Sequence, residues 1–197
     1  MKNKAFIPII LILGLFTSTY NYGQEFKSVS FAIEGHRSEK FETVDSMSGG
    51  SATYIKEKIL NAFFTTGTQY VFGLGRYQKF RDYRPYYEGN YLYFENNYTI
   101  GLGRPAHFPL PLRLGGGAFI LTGIGKRLQN AMNPISYGGM KVHLQSGLSA
   151  NIEMGLAALF LVDINFGFQG KISYSSMDND TKQWQSLYLS MDIPLVY

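Results

Sequence analysis

Cysteine is absent from the 197 residues. That excludes a disulfide framework, a thiolate metal site, a thiol nucleophile and a lipoprotein acylation cysteine near the start. Charge is scarce, at 16% of residues, and its signs nearly cancel. Without Lys2 and Lys4, which fall in a leader described below, 16 basic residues stand against 14 acidic ones, a net charge of +2. Such a balance leaves no electrostatic footprint for nucleic acid, and no nucleic-acid partner is expected. Long apolar runs are missing after residue 16. The best later stretch, Gly155 to Val162, is eight residues long, whereas a membrane-crossing helix needs about 20. What the chain does have is 15 Tyr, 15 Phe, 22 Gly and a hydrophobic content of 45%, which argues against disorder.

Lys2 and Lys4 precede the apolar run Ala5 to Phe16, and Thr17-Ser18-Thr19 and Asn21-Tyr22-Gly23-Gln24 follow it. A basic start, a short apolar core and small residues at the exit make a secretory signal peptide. The expected leader is residues 1–23, with cleavage after Gly23 and a single domain over 24–197. A membrane anchor is the competing reading, but twelve residues broken by Pro8 and Gly14 are too few. An exported chain with no spanning helix enters a membrane only as a closed barrel.

The rest of the chain alternates. Leu187, Leu189, Met191, Ile193, Leu195 and Tyr197 interleave with Ser186, Tyr188, Ser190, Asp192, Pro194 and Val196. Period two is a strand with unlike faces. The pattern returns in Val162, Ile164, Phe166, Phe168, Ile172 and Tyr174, and again in Met140, Val142, Leu144, Leu148, Ala150 and Ile152. These segments exceed an average strand of about 5 or 6 residues and suit a tilted membrane strand of about 9 to 11. Eight strands are expected, at roughly 28–36, 50–61, 68–80, 89–103, 110–125, 137–150, 157–175 and 184–197. The segment Ala52 to Leu60 also admits a helix, with Ile55, Ile59 and Phe63 four residues apart and Ser51 as a cap. An even strand count favours the strand.

The connections at 37–49, 81–88, 126–136 and 176–183 are polar, and those at 62–67, 104–109 and 151–156 are shorter. Long loops on one side and short turns on the other give an all-β, closed, antiparallel, up-and-down transmembrane barrel with both termini periplasmic. Trp184, Tyr83, Tyr86, Tyr87, Tyr91 and Tyr137 fall near the outer strand ends, as an interfacial aromatic girdle would. The signal peptide, the eight alternating segments and the closing Leu195-Val196-Tyr197 resemble the small eight-stranded outer-membrane β-barrels similar to the transmembrane domain of OmpA, over residues 24–197. The resemblance implies a Gram-negative cell envelope, a porin-like wall in the outer membrane, outer-membrane lipid around it, and recognition of Ile193, Leu195 and Tyr197 by the barrel-assembly machinery. Pro194 departs from the pattern by removing one ladder donor.

Eight strands leave room for side chains but not for an aqueous channel. The inward parity carries Glu34, Glu95, Arg113, Lys141, Glu153, Asp163, Lys171 and Asp192, with His36 and His143. Charges removed from water need partners, so these are expected to form a polar plug, with a proton or ion path as the sharper alternative. Arg76, Lys79, Arg81 and Arg84 interleave with tyrosines at the top of the third strand and are expected to contact surface glycolipid or a protein partner. His143, Ser149 and Glu153 share a face, but along a strand His143 and Ser149 lie about 20 Å apart, too far for an acyl-transfer dyad. His107 sits between Pro105 and Pro109 in an expected turn. No cofactor is expected, no His-x-His or acid cluster marks a metal site, and no glycine run fits a phosphate loop.

The sequence thus reads as a non-enzymatic outer-membrane barrel with a plugged polar lumen and a structural or surface-interaction role through its outer loops. A soluble periplasmic or secreted barrel binding an apolar ligand is the alternative, and would turn Phe166, Phe168, Leu187 and Leu189 inward. An outer-membrane lipid acyl hydrolase or transferase is the second alternative.

Overall fold

A computed structural model of the chain describes residues 23–40, 43–61, 63–82, 84–103, 111–128, 136–159, 162–176 and 179–195. Residues 1–22 of the expected leader and Tyr197 lie outside these residues. Eight strands follow in chain order: β1 (Glu25–Lys40), β2 (Thr43–Ile59), β3 (Phe64–Arg81), β4 (Arg84–Leu102), β5 (Leu112–Leu128), β6 (Ser136–Leu159), β7 (Val162–Ser175) and β8 (Asp180–Pro194). Each pairs antiparallel with its chain neighbours, and β1 pairs with β8 from Ser28↔Pro194 to Arg37↔Gln185, which closes the barrel. Pro194 opposes Ser28 in that seam, and the ladder resumes beyond it where the Leu195 N–H donates to the Lys27 carbonyl at 2.8 Å.

The weakest strand of the sequence pattern holds. Residues 52–59 run in β2, with Ile55, Glu57 and Ile59 buried inside and Tyr54, Lys56 and Lys58 exposed outside. A helix at this place would leave β1 and β3 with open edges, and lipid supplies no donors or acceptors to cover them.

The strands run further than the sequence reading: β3 starts at Phe64, β4 at Arg84 and β8 at Asp180, inside stretches expected as connections, and two differences are larger. The segment 37–49, expected as a loop, is mostly strand, because β1 continues to Lys40 and β2 starts at Thr43. The turn expected at 151–156 is ladder as well: Ile152 faces out and Glu153 in, and β6 runs to Leu159, which pairs with Val162. The alternation never breaks at Asn151, and a register shift between Gly155 and Ala157 absorbs the irregularity without a reversal of the chain.

The oily face meets the surroundings. Phe31, Ile33, Phe72, Leu74, Phe94, Ile100, Ile120, Leu148, Phe166, Phe168, Leu187 and Leu189 are all exposed, Ile33 at 77% of its surface. The orientation required of a soluble barrel around an apolar ligand is therefore reversed here. In water such a belt would be a severe aggregation liability, whereas in a bilayer it replaces lipid–lipid contact at no cost.

The interior is not purely polar. Met47, Val71, Tyr77, Tyr87, Tyr91, Tyr93, Phe119, Leu121 and Trp184 form a buried cluster inside the barrel. This corrects the girdle expectation for three residues. Trp184 shares parity with Ser186 and Asp192, and Tyr87 and Tyr91 share it with Tyr93 and Glu95, so all three point inward, Trp184 with only 2% exposure. Tyr86 is half-buried; Tyr83 and the side chain of Tyr137 fall outside the description.

Large rings fit a narrow lumen because glycines face them. Gly73 opposes Tyr93 and Gly123 opposes His143, and a Cβ built on either glycine would lie 2.0 Å from the ring of its partner. Each ring lies across the neighbouring strand where a side chain would otherwise stand.

Candidate functional site

Inward parity on every strand brings charges from distant positions into one column. Toward the end of the barrel where β1 begins and β8 ends, Arg113 of β5 is buried among three carboxylates. Its Nε donates to Glu57 Oε1 at 3.0 Å, its Nη2 to Asp192 Oδ2 at 3.2 Å, and its Nη1 to Glu153 Oε1. The four side chains come from β2, β5, β6 and β8, so the cluster ties opposite walls together.

Midway along the barrel, Glu95 Oε1 accepts from Asn97 Nδ2 at 2.6 Å, Ser149 Oγ at 2.7 Å and Gln169 Nε2 at 2.7 Å, while Lys171 Nζ lies 2.9 Å from its Oε2. Lys171 also sits 4.1 Å from the centroid of the Tyr93 ring and 5.1 Å from that of Phe119, close enough for cation–π attraction. The Tyr93 hydroxyl donates to Glu34 at 2.7 Å, His36 Nε2 lies 3.5 Å from Glu34 Oε2, and His36 Nδ1 contacts Ser186 Oγ. A void of about 40 Å³ lies among Glu34, Gln69, Tyr93, Asn97 and Ser190.

Above it lies an aromatic layer. Tyr77 is 4.9 Å from the His143 ring, 5.8 Å from Tyr87 and 6.3 Å from Trp184, whose Nε1 donates to Ser173 Oγ at 3.2 Å. At the mouth of the barrel opposite the Arg113 cluster, Asp45 Oδ2 accepts from Tyr77 at 3.0 Å and from Lys182, with Lys79 Nζ 4.0 Å away. A cavity of about 550 Å³ opens here, lined by Asp45, Lys79, Arg81, Tyr86, Asp180 and Lys182 among others.

Of the residues singled out in the sequence, Glu34, Glu95, Arg113, Glu153, Lys171 and Asp192 meet inside the barrel. Asp163 has the same parity but is half-exposed at the rim, opposite Asp192 in the ladder. The side chain of Lys141 lies outside those described. Arg76, Lys79, Arg81 and Arg84 do not form one surface group. Arg76 faces outward and meets Glu88 at 2.9 Å, Arg84 is exposed, and Arg81 stacks its guanidinium 5.7 Å from the Tyr86 ring centroid. Lys79, one step out of phase with Arg76 and Gln78, turns into the lumen with 1% exposure. Ile193 and Leu195 are half-buried at the end of β8.

Glu57, Asp45 and Lys182 join the interior network unforeseen. Glu57 lies in the segment that also admits a helix, and Asp45 and Lys182 lie in stretches whose polarity suits loops. His143, Ser149 and Glu153 are held by different partners: His143 packs on Tyr77, Ser149 donates to Glu95, and Glu153 accepts from Arg113.

A closed antiparallel barrel of eight strands, with an apolar belt outside and ion-paired polar groups inside, defines a small outer-membrane β-barrel, and the outer membrane is where such a molecule resides. Ail, the attachment invasion locus protein of Yersinia pestis, has this fold: its structure superposes with a TM-score of 0.54 at 12% identity, covering 89% of this chain and 100% of that one. Ail in complex with the heparin analogue sucrose octasulfate gives a TM-score of 0.51 at 10% identity, over the same shares of the two chains. A major outer membrane protein from Thermus thermophilus gives 0.48 at 10% identity, covering 85% of this chain and 99% of that one. No protein-family model and no curated protein matches the chain.

Proposed function

We propose that this protein is a non-enzymatic outer-membrane barrel whose lumen is closed to solutes and whose outer rim holds anionic surface glycolipid. The observation that carries the reading is the cross-barrel ion pairing: Arg113 and Glu95 each collect partners from several strands, and the void between Glu34 and Asn97 holds little more than a few waters. A solute would have to break buried pairs to pass. The role then falls to the outer surface, where Arg76, Arg81 and Arg84 are exposed beside partly exposed Tyr86. Guanidinium groups suit phosphate in two-point contact, and interfacial tyrosine suits the headgroup region. The sucrose octasulfate bound by Ail, a polyanionic sugar, is in keeping with an anionic saccharide as ligand for a barrel of this shape. Residues 1–23 serve as the export leader, with Gln24 as the mature N-terminus, and Ile193, Leu195 and Tyr197 as the assembly signal.

The test has two parts. In planar bilayers the purified protein is expected to give no ohmic conductance steps, and reproducible steps would refute the closed lumen. A variant with Arg76, Arg81 and Arg84 all changed to Ala is expected to lose most of its co-purifying lipopolysaccharide; unchanged retention would refute the rim assignment.

A further inference from the structure

Every outward residue of β4 from Leu92 to Leu102 is a large apolar or aromatic side chain except one. Leu92, Phe94, Tyr98, Ile100 and Leu102 face the membrane, and Asn96 stands between Phe94 and Tyr98 on the same parity, exposed, with no hydrogen bond from its carboxamide to any described residue. That position is the middle of the apolar run, where hydrocarbon offers neither donors nor acceptors and an unpaired amide is costly. Thr66 meets the Tyr98 hydroxyl nearby at 2.6 Å, so the polar neighbour is already engaged.

The surface beside Asn96 is low. Ala118 of β5 opposes it in the ladder, Gly116 opposes Tyr98, and Ala150 of β6 opposes Gly116. None of the three carries more than a methyl group, while Phe94, Ile120 and Leu148 rise around them and are exposed. Close approach over small residues, with a polar side chain as the directional contact, is how proteins associate within a bilayer that gives apolar surfaces no drive to pair.

We infer that the β4–β5–β6 face is an interface between two copies of this chain, centred on Asn96. A carboxamide carries both a donor and an acceptor, so two of them related by a twofold axis along the membrane normal satisfy each other with two hydrogen bonds. A symmetric interface of this kind is the commonest form of association between identical chains. Lipid tails cannot meet the amide, and soluble partners do not reach this depth, so the partner is itself embedded in the membrane.

Because the chain has no cysteine, Ala118→Cys, exposed beside Asn96 and leaving its carboxamide in place, gives a single-thiol protein that a copper–phenanthroline oxidant can link only through this face. In outer membranes the expected result is a disulfide-linked band at twice the chain mass. The control is Leu189→Cys on β8, which lies across the barrel from β4 and is expected to stay at the monomer mass. Sedimentation of wild-type protein in mild detergent is expected to give a dimer, with Asn96→Leu shifted at least tenfold toward monomer and Asn96→Gln retaining the dimer. Heat-modifiability on gels confirms that each variant folds, and the wild-type mass stands without any variant. No linked band at position 118, equal linking at position 189, a linked product of any other mass, or a monomeric wild type at all concentrations would each overturn the inference.

Discussion

Replacing Arg113 with leucine is expected to be among the most damaging single changes in the barrel. The guanidinium is buried and meets Glu57, Glu153 and Asp192, all three of them buried too. Leucine fills part of the volume but leaves three carboxylates facing one another in a space that excludes water. Removing one partner of a buried ion pair costs about 3 to 5 kcal/mol, and three acids on one base put this site at the upper end. A loss of about 5 kcal/mol, at about 1.4 kcal/mol per decade, lowers the folding equilibrium more than a thousandfold. Urea titration of protein refolded into lipid vesicles, followed by the gel shift between folded and unfolded forms, measures it. Adding Glu57→Gln, Glu153→Gln and Asp192→Asn to the arginine variant is expected to restore most of the loss, since uncharged amides need no counter-ion. A loss of about 1 kcal/mol or less from Arg113→Leu, typical of a solvent-exposed pair, would mean that water bathes the three acids and would refute the reasoning.

Two further outcomes follow from the packing. Gly73→Ala places a methyl group 2.0 Å from the Tyr93 ring, which the hydroxyl's bond to Glu34 holds in place, so a loss of about 1 to 3 kcal/mol is expected; Gly170→Ala, with open space around its Cβ, is expected to stay within about 0.5 kcal/mol of wild type in the same urea titration. The single tryptophan, Trp184, lies inside the barrel, so brominated lipids are expected to leave its fluorescence nearly unquenched, and strong quenching would return it to the lipid interface.

Much of this architecture was legible because a barrel wall has only one degree of freedom per residue, in or out. Once Leu187, Leu189 and Met191 set the phase of β8, Ser186, Ser190 and Asp192 had to face the lumen. What parity alone does not reveal is where a strand ends. Polar residues are equally at home in a loop and on a strand that projects beyond the bilayer, which is why Asp45 and Lys182, both in strands, were read as loop residues. Aromatic residues were ambiguous for a related reason: tyrosine and tryptophan suit the lipid interface, yet Tyr87, Tyr91 and Trp184 occupy the lumen, where their phase puts them. Lys79 shows the same priority, since its phase overrode its resemblance to the neighbouring surface arginines. Partner choice was the least legible part. That Arg113 would take Glu57 as well as Glu153 and Asp192 depends on which strands face each other across the barrel, and only the closed fold fixes that.

The central claim is that the apolar face of the wall touches lipid and the polar face does not. Nitroxide labels placed one at a time along β7 in a lipid-reconstituted sample test it directly, with the absence of native cysteine leaving each label unique. Collision with dissolved oxygen, which concentrates in hydrocarbon, is predicted to be high at Phe166, Phe168 and Ile172 and low at Asn165, Gln169 and Lys171, with a period of two residues. High oxygen access at the second set and low access at the first, or a flat profile along the strand, would contradict it.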